Sequence, residues 1–453
     1  MSLIRRVTVP EGERFQESQI NRLGAFDARA LKSATDIVAA VRERGDQAIK
    51  EFTKKFDGID LDELKVPQEQ LDSACDKVDP QFLAAIKKAA ANIRGFHQRQ
   101  LTQSWFTTGE CGQITGAKVT PLARVGVYVP GGRAQYPSTV LMDVIPAKVA
   151  GVPQVIMCAP PTKDGDISPY TLAAAKVAGV DAIYRVGGAQ AIAAMAYGTE
   201  SVPRVDKVVG PGNAYVAAAK KVVSGDVGID MIAGPSEVLV LADDTSDPEL
   251  VAIDLMAQAE HDPMASCYLV TTCEELVDEV EEHIEQILTQ STRADITRAS
   301  LENRGLVVVC ADRATAVEAA NIIAPEHLEV HMEAPNELLG FIKNAGAIFL
   351  GPWTPESVGD YVAGPNHTLP TGGTARFSSP LNVEDFIKRT SIIQYSYAAL
   401  DADADAITTI ANAEGLWSHA RAVTLRQERQ QAMIEAMAGG VDGDGAVQEG
   451  EAR

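Results

Sequence analysis

Val125-Gly126-Val127-Tyr128-Val129 runs straight into Pro130-Gly131-Gly132. A short valine-rich run that stops at a Pro-Gly-Gly turn reads as a buried strand. Similar runs recur at 155–159, 182–186 and 207–209. Between them apolar residues return at helical spacing over 138–150, with Ser138 placed to cap it, and over 171–177, 189–197 and 214–223. Strand and helix in alternation predict a parallel sheet covered by helices on both faces.

Downstream the alternation repeats, with strands at 238–242, 267–271, 306–310 and 347–350 and helices over 247–260, 275–288 and 314–323. The predicted fold class is α/β: two open, mostly parallel, incomplete Rossmann-like domains facing a cleft, with helical N- and C-terminal segments. Residues 1–120 read as mostly helical, because Leu31, Ile37, Val38, Val41, Ile49 and Phe52 share a helical face and 82–96 repeats the pattern. The expected boundaries are a helical segment 1–29, a first α/β domain from 30–123 and 237–380, and a second from 124–236. A helical segment over 381–438 and a disordered Gly- and acid-rich tail over 439–453 complete the chain.

The 453 residues are long enough for two packed units. Their 62 acidic against 40 basic side chains give a net charge of −22, which argues against a nucleic-acid partner, since that would want a basic face. No apolar run approaches the roughly 20 residues of a membrane helix. Residues 1–14 lack the apolar core of a signal peptide, so the expectation is a cytoplasmic protein with no membrane partner. The six cysteines are scattered without a C-x-x-C pair, which argues against a disulfide framework or a cysteine zinc site.

Polar chemistry concentrates over 321–379, a stretch punctuated by Gly and Pro that reads largely as loop. It holds the acid–base pair Glu326-His327, then Asp360, then His367 between Asn366 and Thr368. Neighbouring side chains on extended chain diverge, so Glu326 and His327 can serve different steps. Gln258 and His261, three apart near a helix end, face one side and form half of an N/O metal site. Asp360 and His419 are candidates to complete it. The plainer reading of Gln258 and His261 is a helix C-terminus with a dipole-favoured histidine. His97, His283 and His331 read as ordinary surface, capping or packing residues. Gly187-Gly188-Ala189-Gln190 and Gly210-Pro211-Gly212-Asn213 each follow a strand and open a helix, where backbone N–H groups meet anions, although a plain tight turn fits either alone. Gly234-Pro235-Ser236-Glu237 is a similar turn, and the absence of a G-x-S-x-G elbow sets a serine nucleophile aside.

In this order along one chain, these motifs resemble the histidinol dehydrogenase family. The pieces are Tyr136-Pro137-Ser138 through Ile145-Pro146-Ala147-Lys148, Val209-Gly210-Pro211-Gly212-Asn213, Ala233-Gly234-Pro235-Ser236-Glu237 and Gln258-Ala259-Glu260-His261. Ala324-Pro325-Glu326-His327, Gly359-Asp360-Tyr361 and Glu414-Gly415-Leu416 with His419 complete the set, and the likeness covers roughly 30–430. The resemblance implies a zinc- and NAD-dependent oxidation of L-histidinol to L-histidine through histidinal. It implies one Zn2+ per subunit on Gln258, His261, Asp360 and His419. His327 takes the role of the alcohol's base and Glu326 that of the base for water. Ser236, His367 and Glu414 become substrate contacts, joined by the ligand residues and His327. Tyr128, Gln190 and Asn213 become NAD contacts on the 124–236 domain. It also implies an intertwined homodimer in which the segment carrying Glu414 and His419 completes the partner's site. Three other readings compete: a zinc dehydrogenase of a sulfonated propanediol, a zinc hydrolase using Glu326, and a non-catalytic metal-binding protein. Glu414 argues against the first, since a carboxylate suits a cationic amino alcohol and repels a sulfonate.

Overall fold

The computed structural model describes residues 3–22, 24–131 and 135–439. The chain opens with strand β1 (Arg5–Val9), helices α1 (Ala28–Phe56), α2 (Gln68–Asp72) and α3 (Pro80–Gln98), and strands β2 (Trp105–Thr108) and β3 (Ile114–Pro121). A first alternating block follows: β4 (Arg124–Tyr128), α4 (Pro137–Val149), β5 (Gln154–Ala159), α5 (Pro169–Ala178), β6 (Ala182–Arg185), α6 (Gly188–Tyr197), β7 (Lys207–Val209), α7 (Ala214–Val223) and β8 (Gly228–Ile229). The second block runs β9 (Glu237–Ala242), α8 (Pro248–Ala259), β10 (Ser266–Thr271), α9 (Glu274–Leu288), α10 (Ala294–Arg304), β11 (Leu306–Cys310), α11 (Arg313–Ile323), β12 (His327–Val330), β13 (Ala347–Leu350) and α12 (Glu356–Tyr361). The described residues end in β14 (Ile387–Gln394), α13 (Tyr397–Ala413) and α14 (Trp417–Gly439).

The first block forms a five-stranded sheet ordered β6-β5-β4-β7-β8, and the second a six-stranded sheet ordered β1-β11-β10-β9-β12-β13. The pairings of both are parallel, with Val127 opposite Met157 and Val209 and with His327 opposite Val238 and Ala347. In each, the order reverses beside the first strand of its block, β4 or β9, which leaves a crevice at the strand ends there. β4, β9 and β10 are buried on both faces because helices cover both sides, which is why they read as apolar runs. Helix starts follow side-chain caps: Asn213 accepts from Tyr215 and Val216, and Asp247 from Glu249 and Leu250. Both sheets belong to one compact unit, Met1–Leu101 with Pro121–Ile387. The other unit, Thr102–Thr120 with Lys388–Arg453, holds a small sheet ordered β14-β3-β2 and the helix pair α13–α14.

Several expectations need correction. The described part of 1–29 is not a helical segment: Arg5–Val9 is a strand that extends the six-stranded sheet beside β11, and helix appears only as a 3-10 turn at Glu17–Gln19 and the start of α1 at Ala28. The helices of 30–98 do not join the 237–380 half. α1 packs on α6 and α7, and α3 on α4, so their apolar faces close the core of the five-stranded sheet. A helical end was expected over 381–438, yet β14 precedes the helices and pairs with β3. α4 starts at Pro137 with Tyr136 at its cap, and Ser138 lies inside it. His97 is fully buried rather than superficial, its Nδ1 2.6 Å from Gln100 Oε1. The tail over 440–453 lies outside the described residues.

Candidate active site

Most of 321–379 is irregular, as expected, but β12, β13 and α12 lie within it. α11 ends at Ala324, a non-glycine residue in the left-handed region (φ 48°), a conformation that costs about 1 kcal/mol. That turn delivers Pro325-Glu326 to the start of β12, a central strand between β9 and β13. Gly346 lets β13 approach, since a Cβ there would stand 2.5 Å from the Glu326 carbonyl. Glu326 and His327 therefore sit at the amino end of the six-stranded sheet, beside Ser236-Glu237 at the start of β9.

Glu326 is buried, and its Oε2 accepts the Glu237 N–H at 3.0 Å. Burial raises its carboxyl well above the usual range, opposed by that hydrogen bond and reinforced by the charges of Glu356, Glu237 and Asp360. His327 is buried too, and its Nδ1 lies 3.1 Å from the Glu237 carbonyl oxygen. The carbonyl can only accept, so Nδ1 carries the proton and Nε2 presents a lone pair. Nε2 has no hydrogen-bond partner and lies 3.8 Å from Asp360 Oδ1. Burial pushes the imidazole down, opposed by Asp360 and the Glu237 carbonyl, which favours its neutral form.

α8 brings the metal-type residues. Gln258 is fully buried, and its amide nitrogen belongs toward Glu356, donating to Oε1 and Oε2 at 2.6 and 2.9 Å. The amide atom 3.5 Å from His261 Nδ1 is then the oxygen. An oxygen and a ring nitrogen 3.5 Å apart match the edge of a tetrahedral zinc shell, about 3.4 Å for ligand bonds near 2.1 Å. Asp360 stands one helical turn beyond Glu356, and burial together with the Glu356 charge raises its carboxyl to about 7. His327, Glu356 and Asp360 offer ligand-type atoms within 4.8 Å of one another. Gln258 and His261 offer an oxygen and a nitrogen of the kind a divalent ion takes, and Asp360, beside Glu356 and His327, offers a further oxygen.

His367 joins this group. Burial and the nearby His327 and His261 push its imidazole down to about 4. Its loop is fixed to α4, with Asn366 donating to the Met142 carbonyl at 2.7 Å and Thr368 to Asp143 at 2.8 Å. Glu414 and His419 are not brought together with these residues within the first unit. Glu414 caps α13, and His419 lies in the first turn of α14, both exposed in the second unit. Tyr128, Gln190 and Asn213 gather at the carboxyl end of the five-stranded sheet. The Tyr128 hydroxyl accepts the Gly188 N–H at 3.1 Å, Gln190 lies in the first turn of α6, and Asn213 caps α7. Sequence reasoning missed Glu356, which is buried between Gln258 and His327. Its signal was the four-residue spacing to Asp360, which puts both on one helical face.

The family model described as histidinol dehydrogenase matches residues 21–427. The chain belongs to the histidinol dehydrogenase family. It is 54% identical over 392 residues to the histidinol dehydrogenase of Halalkalibacterium halodurans, covering 86% of this chain and 92% of that one. The Bacillus subtilis enzyme is 49% identical over 422 residues, 93% of this chain and 98% of its own. The crystal structure of histidinol dehydrogenase from Elizabethkingia anophelis superposes with a TM-score of 0.89 at 35% identity, covering 95% of this chain and 99% of that one. Family membership makes this chain an oxidoreductase of histidine biosynthesis acting on histidinol. Among the described residues no helix is long and apolar enough to cross a membrane.

Proposed function

We propose that the chain oxidises L-histidinol to L-histidine through L-histidinal in two hydride transfers, with one zinc ion per subunit and NAD. Gln258, His261 and Asp360, joined by His419 of a second subunit, would hold the zinc, and Tyr128, Gln190 and Asn213 would meet NAD on a Rossmann-like domain over 124–236. Bound zinc supplies a cationic anchor for the imidazole and amine of the substrate, and bound NAD supplies the hydride acceptor. His327 Nε2 takes the hydroxyl proton, first from the alcohol and then from the hydrated aldehyde. Glu326 orients and deprotonates the water that hydrates the aldehyde; its raised carboxyl makes it a stronger base once ionised. Ser236, His367 and Glu414 contact the substrate, and neutral His367 does so without repelling its ammonium group. The working unit in this reading is an intertwined homodimer in the cytoplasm.

The observation that carries the reading is the pinned His327, with Nδ1 on the Glu237 carbonyl and Nε2 unpartnered beside Asp360. The test starts parallel assays from histidinol and from histidinal and follows reduced nicotinamide, with zinc stripped by a chelator and then restored. His327→Gln is expected to slow both oxidations by about 100-fold or more, and Glu326→Gln to slow chiefly the second. Equal losses at both steps in Glu326→Gln would overturn the division of labour. Full activity without metal would overturn the zinc assignment.

A further inference from the structure

His331 lies at the far end of β12 from His327, on the same face of the strand, since 327, 329 and 331 alternate with Leu328 and Val330. All three polar side chains are buried. His331 Nε2 stands 3.3 Å from Asp254 Oδ2 and 3.6 Å from Glu329 Oε2. Burial opposes its charge, yet the contacts with Asp254 and Glu329 outweigh that and push the imidazole up to about 9. Asp254 sits on α8 one turn before Gln258, so both point to the same side. Glu329 reaches the other way: its Oε1 accepts the N–H of Glu356, the first residue of α12, at 2.6 Å. The cap position of α12 is Pro355, which has no side-chain acceptor, so a strand residue supplies the acceptor that a capping residue would. The side chain of Glu356 in turn receives the Gln258 amide.

From this we infer that Asp254, Glu329 and His331 form a buried staple that locks α8, β12 and α12 together, and that Glu329 is a positioning residue for the ligands Gln258 and Asp360. β12 carries Glu326 and His327, α8 carries Gln258, and α12 carries Asp360, so one polar cluster sets the spacing of all three. Cutting it leaves the amide of Gln258 and the turn bearing Asp360 free to drift. Ligands positioned through a partner typically lose 10- to 100-fold in metal affinity when that partner goes.

The inference rests on the zinc reading above, and the test separates the two. Apoprotein is titrated with zinc against a chromogenic chelator, and NAD binding is measured on the same samples by quenching of protein fluorescence. Glu329→Met, which removes the acceptor, is expected to weaken zinc about 10- to 100-fold with NAD affinity unchanged. Glu329→Gln keeps an oxygen for the Glu356 N–H and is expected to stay within about threefold of wild type. His331→Leu cuts the link to α8 without touching that bond and provides a second arm if Glu329→Met does not fold. It is expected to cost about threefold to tenfold. Wild-type zinc affinity in Glu329→Met or, should that variant not fold, in His331→Leu overturns the staple. So does a Glu329→Gln variant that loses zinc and NAD affinity together. Two zinc ions per wild-type chain, one of them lost in His331→Leu, would make the cluster a metal site and also overturn it. A wild-type protein that takes up no zinc overturns the zinc reading instead.

Discussion

Asp143→Asn isolates the electrostatics of one buried carboxyl. Asp143 lies inside α4 without solvent exposure, between the loop at 366–368 and the turn at Gly210. Its Oδ1 accepts from Thr368 Oγ1 at 2.8 Å, and its Oδ2 has no partner. Burial raises the carboxyl from its ordinary 3.8 to about 8; the Thr368 bond and Lys220 pull it down, and Asp230 pushes it up. A folded value above the unfolded one means that the native state holds the proton longer. The stability this confers is complete below about pH 4 and is lost as pH rises through about 8. At about 1.4 kcal/mol per tenfold change, the loss across that window is on the order of 5 kcal/mol. Asparagine cannot ionise and keeps an oxygen for Thr368. D143N should therefore gain on the wild type by about 1 kcal/mol for each pH step between about 5 and 8, then level off. Urea unfolding of both proteins across that range, with midpoints multiplied by their slopes, measures the gap. A gap that does not change with pH means that the folded carboxyl ionises like the unfolded one, and refutes the argument.

Lys220→Met should cost about 3–5 kcal/mol, because it leaves Asp230 charged and buried without its partner at 2.6 Å. The same change frees the Gly210 carbonyl, so NAD affinity should fall in a binding titration while zinc affinity holds. Subunit exchange tests the shared site. Mixing inactive His261→Ala and His419→Ala chains should restore about a quarter of wild-type activity, as one site of each mixed dimer is then intact. No recovery after exchange verified by mass would place each site within one chain.

The two alternating blocks were legible because strands buried on both faces are written as uninterrupted apolar runs. β12 was not, for a physical reason. His327, Glu329 and His331 alternate with Leu328 and Val330, a strand pattern whose polar face is buried among other polar groups instead of facing water. The stretch therefore looks like a loop. β1 hides behind Arg5 and Arg6, which suit an exposed edge strand. The packing of α1 depends on partners more than a hundred residues away, and that of α3 on helices of the next block; their amphipathic periodicity says only that one face is covered. The site's ligand-type residues were legible as types at a spacing. Glu356 was not, because the loop reading of 321–379 conceals the helical turn that aligns it with Asp360.

The two sheets share a strand order yet use opposite edges, the five-stranded one its carboxyl end for Tyr128, Gln190 and Asn213, the six-stranded one its amino end for Glu326 and His327. In the proposed reaction two electron pairs leave one carbon in succession, each requiring a fresh oxidised nucleotide. In that reading, anchoring the nucleotide to one scaffold and the reactant to the other would let the carrier be swapped mid-turnover without loosening the grip on the half-oxidised compound. A reactive aldehyde then need never diffuse away between the two events.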